Sequence, residues 1–270
     1  MKRLLCQDLQ ELKDLNSSSA RVVLPKTEAH HAITVLRIKD GEMVEAIDGK
    51  GLCLKAVIRI SGKTAYIEAV ENTCHVTQAY TIGTSGTDTK LVLETSILKS
   101  GAMEWLVEKC VELGVSSILP VITDHTVVKV NTKGPDKFRD RWQKIADQSL
   151  KQCGRLKRLE VQTPAVLREV LKSTSGTPPI RLWCDEEARH DGAVPFMMNW
   201  LLGNKLSKDL DEIRLLIGPE GGWSATEQNL LASYSQHNIH RVSLGKTILR
   251  AETAGIFAVS LVTGCLWLPT

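Results

Sequence analysis

No CxxC pair occurs in the chain, and its seven cysteines, Cys6, Cys53, Cys74, Cys110, Cys153, Cys184 and Cys265, are odd in number. Neither a zinc ribbon nor a complete disulfide framework is indicated, and the thiols read as buried and reduced. No apolar run approaches the roughly eighteen residues that a membrane helix needs. The opening MKRLLCQDLQELK lacks the apolar stretch and small-residue cleavage site of a signal peptide. A soluble cytoplasmic protein without a membrane partner is expected. Equally absent are GxGxxG after a strand, GxxxxGK[ST], HExxH and GxSxG, so dinucleotide, P-loop, zincin and α/β-hydrolase readings have no motif to stand on. The neighbouring His30 and His31 cannot share a helix face and have no further ligands beside them, so no metal site is expected.

What is present is ordinary globular composition: 270 residues, 43% hydrophobic, 24% charged, with a formal net charge of +3. That charge is too mild to prove a nucleic-acid partner, so its distribution matters more than its total. From Met1 to about Asn72 the pattern is mostly period two. Glu42–Asp48, Leu52–Ile60 and Thr64–Glu71 are separated by the turn sequences Asp48-Gly49-Lys50-Gly51 and Ser61-Gly62-Lys63. A short helix is expected between Pro25 and Arg37. Residues 72–89, rich in Thr, Gly and Ser, read as a linker. Beyond them strands alternate with helices: strand Leu91–Leu98, helix Met103–Leu113, strand Ser117–Ile122, a helix opened by Thr163-Pro164 and strand Ile180–Cys184 with an acidic end. This order predicts a mostly parallel sheet. A domain of residues 1–72 and a second of 73–270 are expected.

Between these strands, a helix is predicted from Pro135 to about Cys153. Phe138, Trp142, Ile145, Ser149 and Cys153 follow a 3–4 spacing and should face the core, leaving Lys137, Arg141, Lys144, Gln148 and Lys151 on another face. Together with Lys129 and Lys133 before it and Arg155, Lys157 and Arg158 after it, this is a concentrated positive surface. Such a run is either a solvated face or the footprint of phosphate binding. Lys129, Lys144 and Arg155 are the candidate RNA contacts on it.

The stretch around which the chain is organised is residues 213–262, a strand-loop-helix unit made twice. Ile213–Ile217 runs into Gly218-Pro219-Glu220-Gly221-Gly222, then Ser224-Ala225-Thr226-Glu227 with capping-box spacing. Arg241–Leu244 runs into Gly245, and a helical pattern resumes near Ala251. In open parallel sheets, ligands bind beyond the carboxyl ends of strands, and glycines let a ligand approach bare amides. Gly-Pro and Gly-Gly are also ordinary turn punctuation, so the two loops alone leave a ligand site and a plain connection both open.

GPEGG after an apolar strand, followed by LGxxILRAETA, resembles the RsmE family of 16S rRNA uracil-N3 methyltransferases in the SPOUT superfamily. The likeness extends to His31–Arg37, which matches an HxxxVLR element of the family's PUA-like amino-terminal domain, to the basic Lys2-Arg3 start, and to Lys99, Met103 and Glu104. Lys151 departs from the family, where a glutamate is usual, and His125-Thr126 stands where an Arg-Ser pair is common. The resemblance implies an α/β protein with a small PUA-like β-barrel before a knotted parallel-sheet domain, a trefoil knot within 180–265, a homodimer, and action on 16S rRNA of the small ribosomal subunit. The general rules of chain topology give no such knot. For the cofactor, S-adenosyl-L-methionine, the resemblance implies contacts with Leu216, Ile217, Gly218, Pro219, Glu220, Gly221, Gly222, Leu244, Gly245, Ile248 and Leu249. It also adds Arg3, Arg37 and Lys99 to the RNA contacts.

Methylation at uracil N3 requires loss of a proton and stabilisation of the anion spread onto O2 and O4. Arg250, following the second loop, is the candidate for orienting the base and stabilising that charge; arginine does not lose its own proton. Glu252 is either a base or simply an acid at the positive end of the following helix. A related ribose 2′-O-methyltransferase and a non-catalytic RNA-binding assembly factor are the competing readings. Loss of Arg250 and a cofactor-binding assay discriminate the second, and alkaline digestion of the modified RNA discriminates the first.

Overall fold

The computed structural model describes residues 1–9, 21–70, 89–130, 134–172, 178–204, 210–234 and 238–267. Cys74, Lys133 and most of the expected linker at 72–89 lie outside them. The chain divides into two compact units, Met1–Tyr80 with Asp147–Arg158, and Thr81–Ala146 with Leu159–Thr270. The segment 147–158, read from sequence as part of the second domain, therefore counts with the smaller unit.

In the smaller unit, alternation of side chains builds one apolar face. Strands β1 (Arg3–Leu5), β2 (Arg21–Val23), β3 (Met43–Ile47), β4 (Cys53–Ser61) and β5 (Thr64–Ala69) form a sheet in the order β1-β3-β4-β5-β2. Val44, Ala46, Leu54, Ala56, Ile58, Ala65 and Ile67 point into a common core. All neighbours are antiparallel except β1 with β3. Between β2 and β3, the short helix α1 (Lys26–His30) runs into a π turn, His31–Val35, closed by Leu36 N donating to His31 O at 2.9 Å. Arg37 then adopts φ +50°, a left-handed conformation usually left to Gly or Asn at a helix end. The turn brings Ile38 back into the core and leaves Arg37 exposed.

In the larger unit, near-continuous apolar runs give strands buried on both faces, the condition for a parallel sheet. Strands β6 (Lys90–Ser96), β7 (Ser117–Ile122), β8 (Glu160–Val161), β9 (Ala165–Val166), β10 (Ile180–Cys184), β11 (Glu212–Ile217) and β12 (Ile239–Val242) are ordered β12-β10-β11-β6-β7-β8, with β9 also on β7. Every pairing is parallel. Helices α2 (Ser100–Glu112), α3 (Pro135–Cys153), α4 (Leu167–Lys172), α5 (Met197–Gly203), α6 (Ala225–Ser233) and α7 (Ala251–Trp267) follow the strands in turn, α3 belonging to this unit only as far as Ala146. The helix expected from Thr163 starts only at Leu167, because Ala165 and Val166 pair with Val121 and Ile122 instead. Glu94 within β6 is fully buried. Arg181 meets it in a fork at 2.6 and 2.9 Å, and Arg214 adds a bond at 2.9 Å. Removing both arginines would strand a buried carboxylate, whereas loss of either leaves it one partner.

Helix α3 has the expected ends but a shifted core face: Trp142, Ala146, Ser149 and Leu150 are buried, whereas Phe138 and Ile145 are half-buried and Cys153 is exposed. At 100° per residue Cys153 stays in line with Trp142 and Ala146, and it is exposed as the last residue of the helix. Cys6, Cys110 and Cys184 are buried as expected, and Cys53 and Cys265 are half-buried. Lys151 leaves the predicted basic face. Its ammonium pairs with both Glu28 oxygens at 3.0 Å, with only 10% and 12% of the two side chains exposed.

Candidate active site

Because the strands are parallel, the loops after β10, β11 and β12 leave the sheet at one edge, and β11 and β12 both border β10. Together the three loops and the start of α7 line a cavity of about 400 Å³. That is within the usual range for small-molecule sites, roughly 300–1,000 Å³. Of the residues expected at the cofactor, Ile217, Gly218, Pro219, Glu220, Gly221, Leu244, Gly245, Ile248 and Leu249 are on its wall, and so is Arg250.

Leu216 is not on the wall. It is fully buried in the core with Trp183, Trp223 and Leu231, since alternation along β11 turns it to the sheet face beneath α6. Gly222 is also not on the wall. It has φ +70°, a backbone state that favours glycine, and the end of the Glu186 side chain occupies the space where a Cβ would stand. Glu252 occupies the first turn of α7, where a carboxylate complements the helix dipole, and does not line the cavity.

The first glycine loop is held from several sides. Ser224 caps α6 by accepting from Glu227 N at 3.2 Å, and Glu227 answers by accepting from Ser224 N at 2.9 Å, completing the capping box. Glu227 also accepts from Asp124 N at 3.0 Å, while Ser224 Oγ donates to Asp124 at 2.5 Å. His125 Nδ1 lies 3.0 Å from Gly221 O and 2.9 Å from Gly222 O. Carbonyls only accept, so the proton is on Nδ1. Beneath the loop, Trp223 is buried and its indole N–H reaches Cys184 O at 3.3 Å.

The second loop is held mainly at its root. Ser243 N donates to Pro195 O at 3.0 Å and Met197 N to Ser243 O at 2.9 Å, while Ser243 Oγ bonds Gly245. Gly245 has φ +128°, a backbone state that side chains avoid. Farther out, Lys246, Thr247, Ile248 and Arg250 are exposed. Among the described residues the Arg250 side chain has no hydrogen-bond or ion-pair partner.

Residues the sequence reading did not single out complete the wall: Cys184, Asp185, Glu186, Ser243, Thr247, Ala251 and Ala254. Burial, with Asp185 next to it, pushes the Cys184 thiol up to about 12, so it remains protonated and is no nucleophile. Asp185 is buried against Arg241 at 2.7 Å. Burial and the neighbouring charges of Asp185 and Glu187 raise the Glu186 carboxyl above its ordinary range. The acidic end of β10 was legible, but its place beside the glycine loops depends on strand order. His125 appeared only as a departure from a family pattern.

The candidate RNA contacts fall in both units. Lys99, at the amino end of α2, Lys129, Lys144 and Arg37 are exposed, and Arg155 is half-exposed. Arg3 is bound to Glu45 at 2.6 Å and is only partly accessible. Arg141 is engaged with Glu104 and Ser100. Among the described residues no group of three or more His, Cys, Asp or Glu side chains is arranged to hold a metal. No helix among them is long and apolar enough to cross a membrane.

The profile of an RNA methyltransferase domain matches residues 86–263, and that of an RNA methyltransferase PUA domain matches residues 24–70. Ribosomal RNA small subunit methyltransferase E of Synechocystis sp. is 26% identical over 250 residues, 92% of this chain and 74% of the relative. The protein of the same name from Bacillus subtilis is 24% identical, with 87% of each chain covered. Among solved structures, a putative methyltransferase from Legionella pneumophila in complex with SAM aligns with a TM-score of 0.77 at 25% identity, covering 98% of this chain and 97% of that one. A ribosomal RNA small subunit methyltransferase E from Neisseria gonorrhoeae bound to S-adenosyl methionine aligns with a TM-score of 0.75 at 26% identity, with the same coverage. With its parallel sheet, glycine-loop cavity and amino-terminal PUA region, the chain belongs to the RNA methyltransferase family.

Proposed function

We propose that the protein is an S-adenosyl-L-methionine-dependent methyltransferase acting at N3 of a uridine in 16S rRNA of the small ribosomal subunit. The observation that supports this most is the cavity built from both glycine loops with Arg250 in its wall. Backbone groups of Ile217–Gly221 and Leu244–Leu249 would meet the adenine and ribose, and the apolar Ile217, Pro219 and Leu249 would flank them. When bound, the cofactor supplies a sulfonium methyl group to the nucleophile. The chain's part is positioning and charge stabilisation. Arg250 orients the uracil and answers the negative charge on its oxygens as N3 loses its proton, for which a free guanidinium fork is suited.

RNA is held through phosphates by the PUA unit and by the outward cations of α3 and its flanks, Lys129, Lys144 and Arg155, with Arg37 and Lys99. Arg3 and Lys151 serve mainly as ion-pair partners within the smaller unit. We further propose a cytoplasmic homodimer with a trefoil knot in 180–265. Helix α7 is apolar nearly all round, and Ile256, Phe257 and Leu261 remain half-exposed, as Trp105 is exposed on the adjoining α2, which favours a second buried side. Light scattering on the purified protein reads the dimer directly.

The test of activity is nucleoside mass spectrometry of small-subunit particles incubated with protein and cofactor. Appearance of 3-methyluridine is expected. A 2′-O-methylated nucleoside, which blocks alkaline cleavage, or no product at all, would overturn the assignment.

A further inference from the structure

The cavity wall is acidic. Asp185, Glu186 and Glu220 face a single cation, Arg250, among its ionisable lining residues, since Cys184 remains a thiol. The three carboxylates are not equivalent. Asp185 is buried and neutralised by Arg241. Glu186 and Glu220 are both exposed, Glu220 at the tip of its loop and Glu186 just past the end of β10. Glu186 has no salt-bridge partner among the described residues, and its carboxylate lies over the α-carbon of Gly222, in space that any side chain at that position would fill. It thus places a negative charge against the first glycine loop. Around it stand Asp185 and Glu187 on its own segment, Arg189 one turn later, and His125 from the loop after β7.

Methyl transfer changes one charge in the cofactor. The donor carries a sulfonium cation, and the product left behind is the same molecule with a neutral thioether. Hydrogen bonds from the glycine loops and apolar contacts with Ile217 or Leu249 cannot tell the two apart by charge. A carboxylate on the wall can. A cavity of about 400 Å³ is no wider than about one Debye length at physiological salt, so counterions do not hide Glu186 from a ligand within it.

We propose that Glu186 is the specificity-determining residue by which the cavity prefers the cationic methyl donor to its neutral demethylated product, so that transfer itself weakens the hold on the spent cofactor. This rests on reading the cavity as the S-adenosylmethionine site. The raised carboxyl of Glu186 is consistent with it: partial burial and the neighbouring Asp185 and Glu187 disfavour the charged form, which a cation beside it would relieve. Because the cavity is open to solvent, the preference contributed by one charge is about three- to tenfold.

The experiment is titration calorimetry of the full chain with S-adenosylmethionine, S-adenosylhomocysteine and sinefungin, in which an amine-bearing carbon replaces the sulfonium. Wild type is compared with Glu186→Gln and Glu186→Asp. In the Gln variant the affinity ratio of donor to product should fall about three- to tenfold, through weaker donor binding, with sinefungin weakened in parallel. The Asp variant should keep the ratio within about twofold, because it keeps the charge. Glu186→Ala carries the same expectation as Gln should the amide impair folding. An unchanged ratio in the Gln and Ala variants would overturn the proposal, as would sinefungin behaving like the neutral product. If wild type binds none of the three, the cofactor reading itself fails, which is a separate result.

Discussion

The two glycine loops do the same job at the same cavity but are built differently. The loop after β11 is fastened by a capping box, by Asp124 and His125 from the loop after β7, and by the buried Trp223. The loop after β12 is fastened near Ser243 and Gly245, while Thr247, Ile248 and Arg250 extend into solvent. The difference separates two kinds of residue. Side chains that hold the first loop should register in the stability of the free protein. Those of the second should register in binding and rate, since little in the folded chain depends on them.

The sharpest break between the loops is expected at Arg250. Arg250→Ala should lower the single-turnover methylation rate by roughly 10²–10³ while leaving cofactor affinity nearly unchanged, the loss typical of removing one preorganised donor to a developing anion. Arg250→Lys should recover little, because an ammonium lacks the planar fork. A defect confined to cofactor affinity would move Arg250 from chemistry to binding.

Next in size is the anchor of the first loop. Glu227 is 5% exposed and accepts from both Ser224 N and Asp124 N. Glu227→Ala should cost about 1–3 kcal/mol in urea unfolding, because it removes the box and strands a buried donor. Thr247→Ala, in the second loop, should stay within about 0.5 kcal/mol by the same measurement. Equal costs would erase the contrast.

A smaller effect is expected at His125, whose Nδ1–H holds two loop carbonyls. His125→Ala should cost about 1 kcal/mol of stability and reduce the rise in melting temperature produced by S-adenosylmethionine. A variant with an unaltered rise would show that the loop keeps its shape without the imidazole.

The smallest effect is a pH dependence at Glu186. Its folded carboxyl is raised, so the unfolded chain holds the charge more readily and the fold is penalised wherever this carboxylate is ionised. The penalty is present above the raised folded value and disappears as pH falls through it toward the ordinary 4.5. Ligand-free Glu186→Gln should therefore unfold at slightly higher denaturant than wild type at neutral pH, and the gap should close in acid. A gap that widens in acid would reverse the sign of the assigned environment.

Much of this architecture was legible in order along the chain. Strands Ser117–Ile122 and Ile180–Cys184 and helix Pro135–Cys153 have the bounds that periodicity, Pro135 and the apolar runs predict. The capping box at Ser224 is present because its residues are local, within one helical turn. Misreadings arose where the determining partner is distant. Lys151 belongs by helical spacing to a basic face, yet Glu28 draws it inward from 123 residues away. The Leu216 side chain belongs by sheet alternation to the core beneath α6, a direction set by packing and not by the motif.

The sequence by itself determined the elements, the two glycine loops and the cation that follows the second, because hydrophobic period, turn chemistry and capping act over a few residues. Only the tertiary structure decided that the acidic end of β10 joins those loops, that His125 bonds the carbonyls of Gly221 and Gly222, and that Glu252 is not on the cavity wall. These follow from the order of parallel strands, which brings residues far apart in sequence to one edge of the sheet, and no local pattern specifies that order.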